Sequence, residues 1–514
     1  MKKFKKVFAV LLTLAMVLGM SMTTFAANKP TASDKKTASV TNIEAGATVT
    51  AYQIVEAKYN DAGFIGYSAV NGVTIKNPLA PTSDEVTTIA QNVNGLKSVQ
   101  MTTTTTSGLA TYTADLNAGY WIVLVRGTVE EVYNPMLVGV YYSKSGSDNT
   151  MSSDAVDANS NWELVTSNAY AKSTKPTVDK KIVNSDGNDN GNSVAIGDTV
   201  NFEIDTAIPS YSKEYTTVLV QVKDELSEGL TLKADSVTVD GLTKGTDYTI
   251  TTSDRGFVIT INSAYALANG GKDIKVTYSA TVNGSAKFNF DPNTNKATFI
   301  YTNNPEGTTK EVYDKTYSYT FGIDAKLNGS STEIWNKITQ ELVKGEMVKE
   351  TVEGEEKEVF KPLTGAKFSL TNKSTNKVYT ATSTDGALTF TGLDAGEYTL
   401  KETEAPEGYT VNDKEIPVVI TAEYNTDGTL KAYTITVDGK ATSTYTATYT
   451  GESIEKTITN IVEGEGNATT QIKNTKIASL PGTGGIGTTI FTIGGCLIMI
   501  IAAALFFANR RKAK

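Results

Sequence analysis

The sequence predicts an all-β chain of about three domains in series. Two observations carry that prediction. The composition is rich in Thr, Val and Tyr, with 25 Tyr against only 12 Pro, and such residues favour pleated, half-buried surfaces. The length of 514 residues is that of roughly three domains of ordinary size. The balance of 56 Asp+Glu against 47 Lys+Arg, a formal net charge of -9, offers no basic surface for nucleic acid.

The chain opens with Met1-Lys2-Lys3-Phe4-Lys5-Lys6, an apolar stretch from Val7 to Met20, and then Thr24-Phe25-Ala26-Ala27. A basic start, a short apolar core and a small-residue site read as a signal peptide over 1–26, cut after Ala26. The first domain is expected over 27–173. Ala47–Val55 alternates as a half-buried strand does, and Gly119–Val125 and Met136–Tyr142 read as more deeply buried strands. Thr102–Thr106 is β-prone and reads as strand or loop. The Ser-, Asp- and Asn-rich stretch 144–161 reads as an exposed loop. Pro176 favours an extended chain before it and so marks a boundary.

The second domain is expected over 174–322. Its first strand holds Val178, Lys180 and Ile182 on one face by the period of two. A lysine among apolar residues on one face is unusual. Further strands are expected at 199–204, 217–222, 256–261, 274–282 and 297–301. The third domain is expected over 323–479, with the Glu-rich segment Glu341–Phe360 as an exposed hairpin or loose loop.

The chain closes on Leu480-Pro481-Gly482-Thr483-Gly484, an apolar run from Ile486 to Ala508, and the basic end Asn509–Lys514. An uncharged run of about 23 residues is long enough to cross ~30 Å of hydrocarbon as a helix. The basic end then stays cytoplasmic, and everything before the span lies outside.

Cysteine and histidine usage narrows the chemistry. The one cysteine, Cys496, falls in the apolar run, and there is no histidine. The exported part therefore carries no disulfide, and Ser-His-Asp catalysis, Cys-His catalysis and histidine-ligated metal are excluded. No cofactor and no metal are implied.

Pentapeptide, apolar run and basic end together resemble the cell-wall sorting signal that sortase transpeptidases read in Gram-positive bacteria. The resemblance implies cleavage between Thr483 and Gly484, with Thr483 passed to an amine. A second stretch, Trp162, Val165, Tyr170 and Lys172, resembles the pilin motif of Gram-positive major pilins. Two departures stand out: Ala171 occupies the place of a proline, and the Trp-to-Lys spacing is one residue longer than in the motif. That resemblance implies Lys172 as the acceptor amine, with Lys175 as the alternative.

Val222–Leu230 and Tyr301–Pro305 are similar to signatures of pilin middle domains related to the collagen-adhesin fold. Leu363–Phe368 and Tyr398–Tyr409 resemble the CnaB repeat. The fold so implied is a tandem of Ig-like β-sandwiches of the collagen-adhesin type. These families also imply an internal Lys–Asn isopeptide bond assisted by an acid. In the third domain the residues are Lys326, Asn474 and Glu402. In the second they are Lys180, Asn303 and Asp224, with Asn295 as the alternative to Asn303. Burial lowers a lysine pKa and raises that of a lone carboxyl, so a neutral amine can attack the amide while a neutral acid relays protons. The closed loops are about 120–150 residues, a cross-link of order 4–5 kcal/mol by chain entropy.

The expected function is the shaft subunit of a covalently polymerised surface pilus, not an enzyme beyond its self-catalysed bonds. The partners implied are a pilin-specific sortase, a housekeeping sortase, identical subunits joined head to tail, peptidoglycan and accessory pilins. The rival reading is a single wall-anchored adhesin that binds host matrix or glycan.

Overall fold

The computed structural model describes residues 29–144, 150–183, 188–323, 341–447, 470–477 and 486–511. Three apolar cores follow one another along the chain.

In the first, a five-stranded sheet runs in the order Glu163–Ser167, Met136–Ser143, Gly119–Arg126, Thr48–Gln53, Ser98–Met101. It faces a three-stranded sheet of Ala169–Tyr170, Lys35–Glu44 and Leu109–Asn117. The strand Gly119–Arg126 is apolar up to its last residue because both of its faces are covered. Trp121, Val123 and Val125 fill the sandwich, whereas Ile122 and Leu124 pack under the helix Ser83–Ala90. That helix starts on a capping box, Thr82 to the amide of Glu85 and Glu85 back to that of Thr82. The stretch expected as an exposed loop over 144–161 is anchored in part. Met151 is buried, and Val156–Asp157 pairs with Phe64 and Gly63. Of the threonine run, Thr102 bridges Thr113 and the rest has no strand partner.

The second core lies between two sheets. One is built on Val178–Val183, Thr199–Ala207, Asp273–Val282 and Leu230–Leu232. The other runs in the order Gly191–Ser193, Thr309–Tyr319, Asn293–Thr302, Val220–Leu226, Gly256–Ile261, Tyr248–Ser253. Strict alternation along Asp273–Val282 puts Ile274, Val276, Tyr278, Ala280 and Val282 inside.

The third core packs a six-stranded sheet, in which Lys367–Asn372 and Ile416–Tyr424 flank Gly396–Glu404. A three-stranded sheet of Glu355–Pro362, Leu342–Val352 and Thr470–Lys473 completes the domain. The Glu-rich segment is a hairpin, as expected. It turns on Glu353 and Gly354, both at positive φ, the backbone a tight two-residue turn requires. It is not exposed throughout: Leu342 and Lys344 are fully buried.

The domains are tied at their joints. Arg126 of the first reaches Glu214 at 2.6 Å and Glu306 at 2.8 Å in the second. Between second and third, Lys377 pairs with Asp198 at 3.0 Å. There Gly428 (φ +85°) lies so close to Asn190 that a Cβ would meet backbone atoms at 2.4 Å.

Ile486–Arg511 forms a helix. Among the described residues no helix is long and apolar enough to cross a membrane; the run expected over 486–508 is only partly covered by described side chains, which extend from Phe491 to Phe507.

Candidate functional sites: two buried amine–acid–amide clusters and an exposed lysine

In the third domain Gly396–Glu404 alternates inward at Tyr398, Leu400 and Glu402. This brings the Glu402 carboxylate, 2 % exposed, into the core. It is not alone there. The Lys344 ammonium nitrogen Nζ lies 3.1 Å from both carboxylate oxygens. The amide of Asn412 donates to Oε2 at 2.8 Å, and Asn474 Nδ2 donates to the same oxygen at 3.0 Å. Lys344 and Asn474 are neighbours because Leu342–Val352 runs parallel to Thr470–Lys473, with Lys344 opposite Ile472. Burial pushes the Lys344 pKa down, and Glu402 opposes the shift. Asn474 Oδ1 is buried without a partner, which leaves its carbonyl open to attack.

Glu402 and Asn474 therefore stand together as the sequence anticipated, but the lysine beside them is Lys344. Lys326 lies outside the described residues. Lys344 was missed because it sits in a segment so rich in charge that it reads as solvent-exposed. The available signal was Leu342, an apolar residue on the same strand face.

In the second domain Lys180 is fully buried and Asp224 2 % exposed. Lys180 Nζ lies 2.7 Å from Asp224 Oδ2, across the two sheets. Phe202 and Tyr278 stack around it, their ring centroids 5.0 and 4.8 Å from Nζ. Tyr278 donates to Asp224 Oδ2 at 2.6 Å and accepts from Asn295 Nδ2 at 2.9 Å. Burial lowers the Lys180 pKa and raises that of Asp224, each opposed by the other group's charge. Both shifts favour a neutral amine beside a neutral acid.

Asn303 is not in this cluster. It shares a strand face with Asn295 but lies eight residues further on, about 26 Å along an extended chain. Asp224 pairs with Ala297, two residues from Asn295. Asn303 instead donates from Nδ2 to the Val129 carbonyl at 2.7 Å and accepts from Thr308 at 2.6 Å. It fastens the second domain to the first. The amide beside Lys180 is that of Asn295, the alternative weighed above. Tyr278 was not singled out from the sequence, although a tyrosine on a core face must find a partner for its hydroxyl.

Lys172 is exposed. Its backbone is held on one side by Ala171, whose amide donates to Thr41 at 2.9 Å. A proline at 171 could not make that bond, which gives the departure from the motif a structural reason. On its own residue the Lys172 carbonyl accepts from Asn134 at 3.1 Å. The side chain lines a cleft of about 480 Å³ with Tyr170, Met136, Asp84, Tyr211 and Lys213, so both first and second domains wall it. Trp162 packs edge-on against Tyr142 at 5.2 Å. Lys175 is also exposed but does not line the cleft. Leu480, Pro481, Gly482, Thr483 and Gly484 lie outside the described residues. Among those described, no group of acidic or cysteine side chains could hold a metal.

A chain of serial β-sandwiches ending in such a tail is a modular surface protein. Known proteins narrow that class. Residues 33–173 match a T6 antigen Ig-like domain, and 196–305 match the Cna-B-like domain of Gram-positive pilin backbone subunit 2. Residues 350–434 match a prealbumin-like fold domain, and 472–514 the LPXTG cell wall anchor motif. The trypsin-resistant surface T6 protein of Streptococcus pyogenes serotype M6 is 30 % identical over 98 % of this chain and 99 % of its own length. The solved three-domain T6 backbone pilin superposes with a TM-score of 0.59 at 24 % identity, covering 87 % of this chain and all of that one. The chain belongs to the backbone pilins of Gram-positive bacteria: it is a cell-wall-anchored structural subunit of a surface pilus and a sortase substrate.

Proposed function

We propose that sortase joins Thr483 of each subunit to Lys172 of the next, and that each subunit carries two internal cross-links, Lys180–Asn295 and Lys344–Asn474. The observation that carries the polymer linkage is Lys172 itself, an exposed amine on a backbone clamped at 171 and 172 and seated in a cleft. A pilin-specific sortase performs the joining step, and a housekeeping sortase attaches the finished polymer to peptidoglycan. The three successive cores support three domains, taken at 27–173, 174–322 and 323–479, with Phe290, Tyr319 and Phe321 lent across the second limit to the third core.

The internal bonds need no enzyme. Moving one proton from the lysine to the carboxylate leaves a neutral amine and a neutral acid. The amine attacks the asparagine Cγ, a proton passes from the attacking to the leaving nitrogen through the groups bonded to both, and ammonia departs. The folded core holds the reactants together, which removes most of the entropic cost. Each bond closes a loop of roughly 115–130 residues, a stabilisation of about 5 kcal/mol by chain entropy. Each also joins an early strand to a late one, so tension along the shaft bypasses the sheets. Cross-links of this kind take the place of the disulfides that the chain lacks.

Thr483→Ala tests the sorting step. The substituted chain is expected to stay unpolymerised, in the membrane or in the medium, when wall extracts are resolved on a denaturing gel. A normal ladder of multimers from that variant overturns the assignment.

A further inference from the structure

The two clusters solve the same geometric problem with different groups. In the third domain one carboxylate oxygen, Glu402 Oε2, touches both the attacking nitrogen of Lys344 and the leaving nitrogen of Asn474, at 3.1 and 3.0 Å. In the second domain the acid is an aspartate, one methylene shorter. Its Oδ2 reaches Lys180 Nζ at 2.7 Å but is not bonded to Asn295. The Tyr278 hydroxyl fills the gap. It is bonded to Lys180 Nζ, to Asp224 Oδ2 and to Asn295 Nδ2, so it touches nucleophile, acid and leaving group at once. Its ring is fixed between Phe202 and Phe257, at centroid distances of 5.3 and 4.9 Å. Asp224 Oδ1 and Asn295 Oδ1 are both buried without partners.

We propose that Tyr278 is a catalytic residue of the second-domain cross-link, carrying a proton from the Lys180 amine to the departing amide nitrogen of Asn295. The proposal rests on the reading of Lys180 and Asn295 as the bonded pair. The step balances. Nζ bonds to Cγ of Asn295 as the Cγ–Nδ2 bond breaks. The phenol oxygen takes one proton from Nζ and gives its own to Nδ2, so the tyrosine ends as it began and ammonia leaves. Asp224 holds the hydroxyl in line and polarises it. In the third domain Glu402 does both jobs, and no hydroxyl is bonded to Glu402 or Asn474 among the described contacts.

The test follows the mature chain 27–483 after cell-free synthesis, reading intact mass and cross-linked peptides against time. The wild type is expected to lose two ammonias. Tyr278→Phe, which keeps the ring, is expected to form the third-domain bond at the wild-type rate and the second-domain bond at least ~100-fold more slowly, the usual size of a lost proton-transfer group. Equal rates in Tyr278→Phe and wild type overturn the role of Tyr278 and leave the Lys180–Asn295 bond standing. A wild type that never forms that bond overturns the underlying reading instead. If the Phe variant does not fold, 3-fluorotyrosine at 278 decides the matter, since it keeps shape and hydroxyl but acidifies the phenol. A rate profile displaced to lower pH supports the shuttle, and an unmoved profile refutes it.

Discussion

Lys172→Arg is expected to fold, to keep both internal cross-links and to reach the cell wall, yet to form no multimers. A guanidinium stays protonated at any physiological pH and cannot attack an acyl intermediate. The fold has no stake in the ammonium, which is exposed. What the fold needs at this position is the carbonyl, bonded to Asn134, and arginine supplies it equally. The effect on polymer is therefore all or none, read as loss of the whole ladder above the monomer on a denaturing gel of wall extracts. Multimers of normal length would move the acceptor to Lys175 or elsewhere.

Glu402→Gln should leave Lys344 and Asn474 unlinked, because glutamine keeps the shape but relays no proton. Intact mass then falls below the chain's own sequence mass by one ammonia, where the wild type falls below its own by two. Losing a bond of about 5 kcal/mol from a domain of this size lowers its melting temperature by roughly 10–20 °C. Trypsin should cut the third domain faster as well. Lys344→Met should give the same mass result, whereas Lys326→Met should leave both bonds in place. A Glu402→Gln chain that still loses both ammonias would show that another group serves as the acid.

The β architecture was legible because alternation is a local property. Asp273–Val282 and Gly396–Glu404 show it plainly, and the latter also fixes Glu402 as an inward-facing acid. Partners across the fold were not legible in the same way. Period two says that Asn295 and Asn303 share a face, but only the register of Val220–Leu226 against Asn293–Thr302 says which one lies near Asp224. The pairing of Lys344 with Asn474 depends on a parallel contact between strands more than a hundred residues apart, and charge in the intervening hairpin hid it. The helix Ser83–Ala90 is a different case. Its capping box stands openly in Thr82-Ser83-Asp84-Glu85, a local signal passed over amid strong β patterning.

The head-to-tail linkage is tested most directly by tandem mass spectrometry of a tryptic digest of the assembled polymer. Trypsin cuts neither after an acylated lysine nor at Lys175-Pro176. Lys180, acylated by Asn295, is not cut either, so a bond from Thr483 to Lys172 predicts one branched product, residues 145–181 carrying 477–483 on Lys172 and 288–296 on Lys180. A branched product of 173–181 with the same tail would place the bond on Lys175, and a polymer with neither product would contradict the linkage.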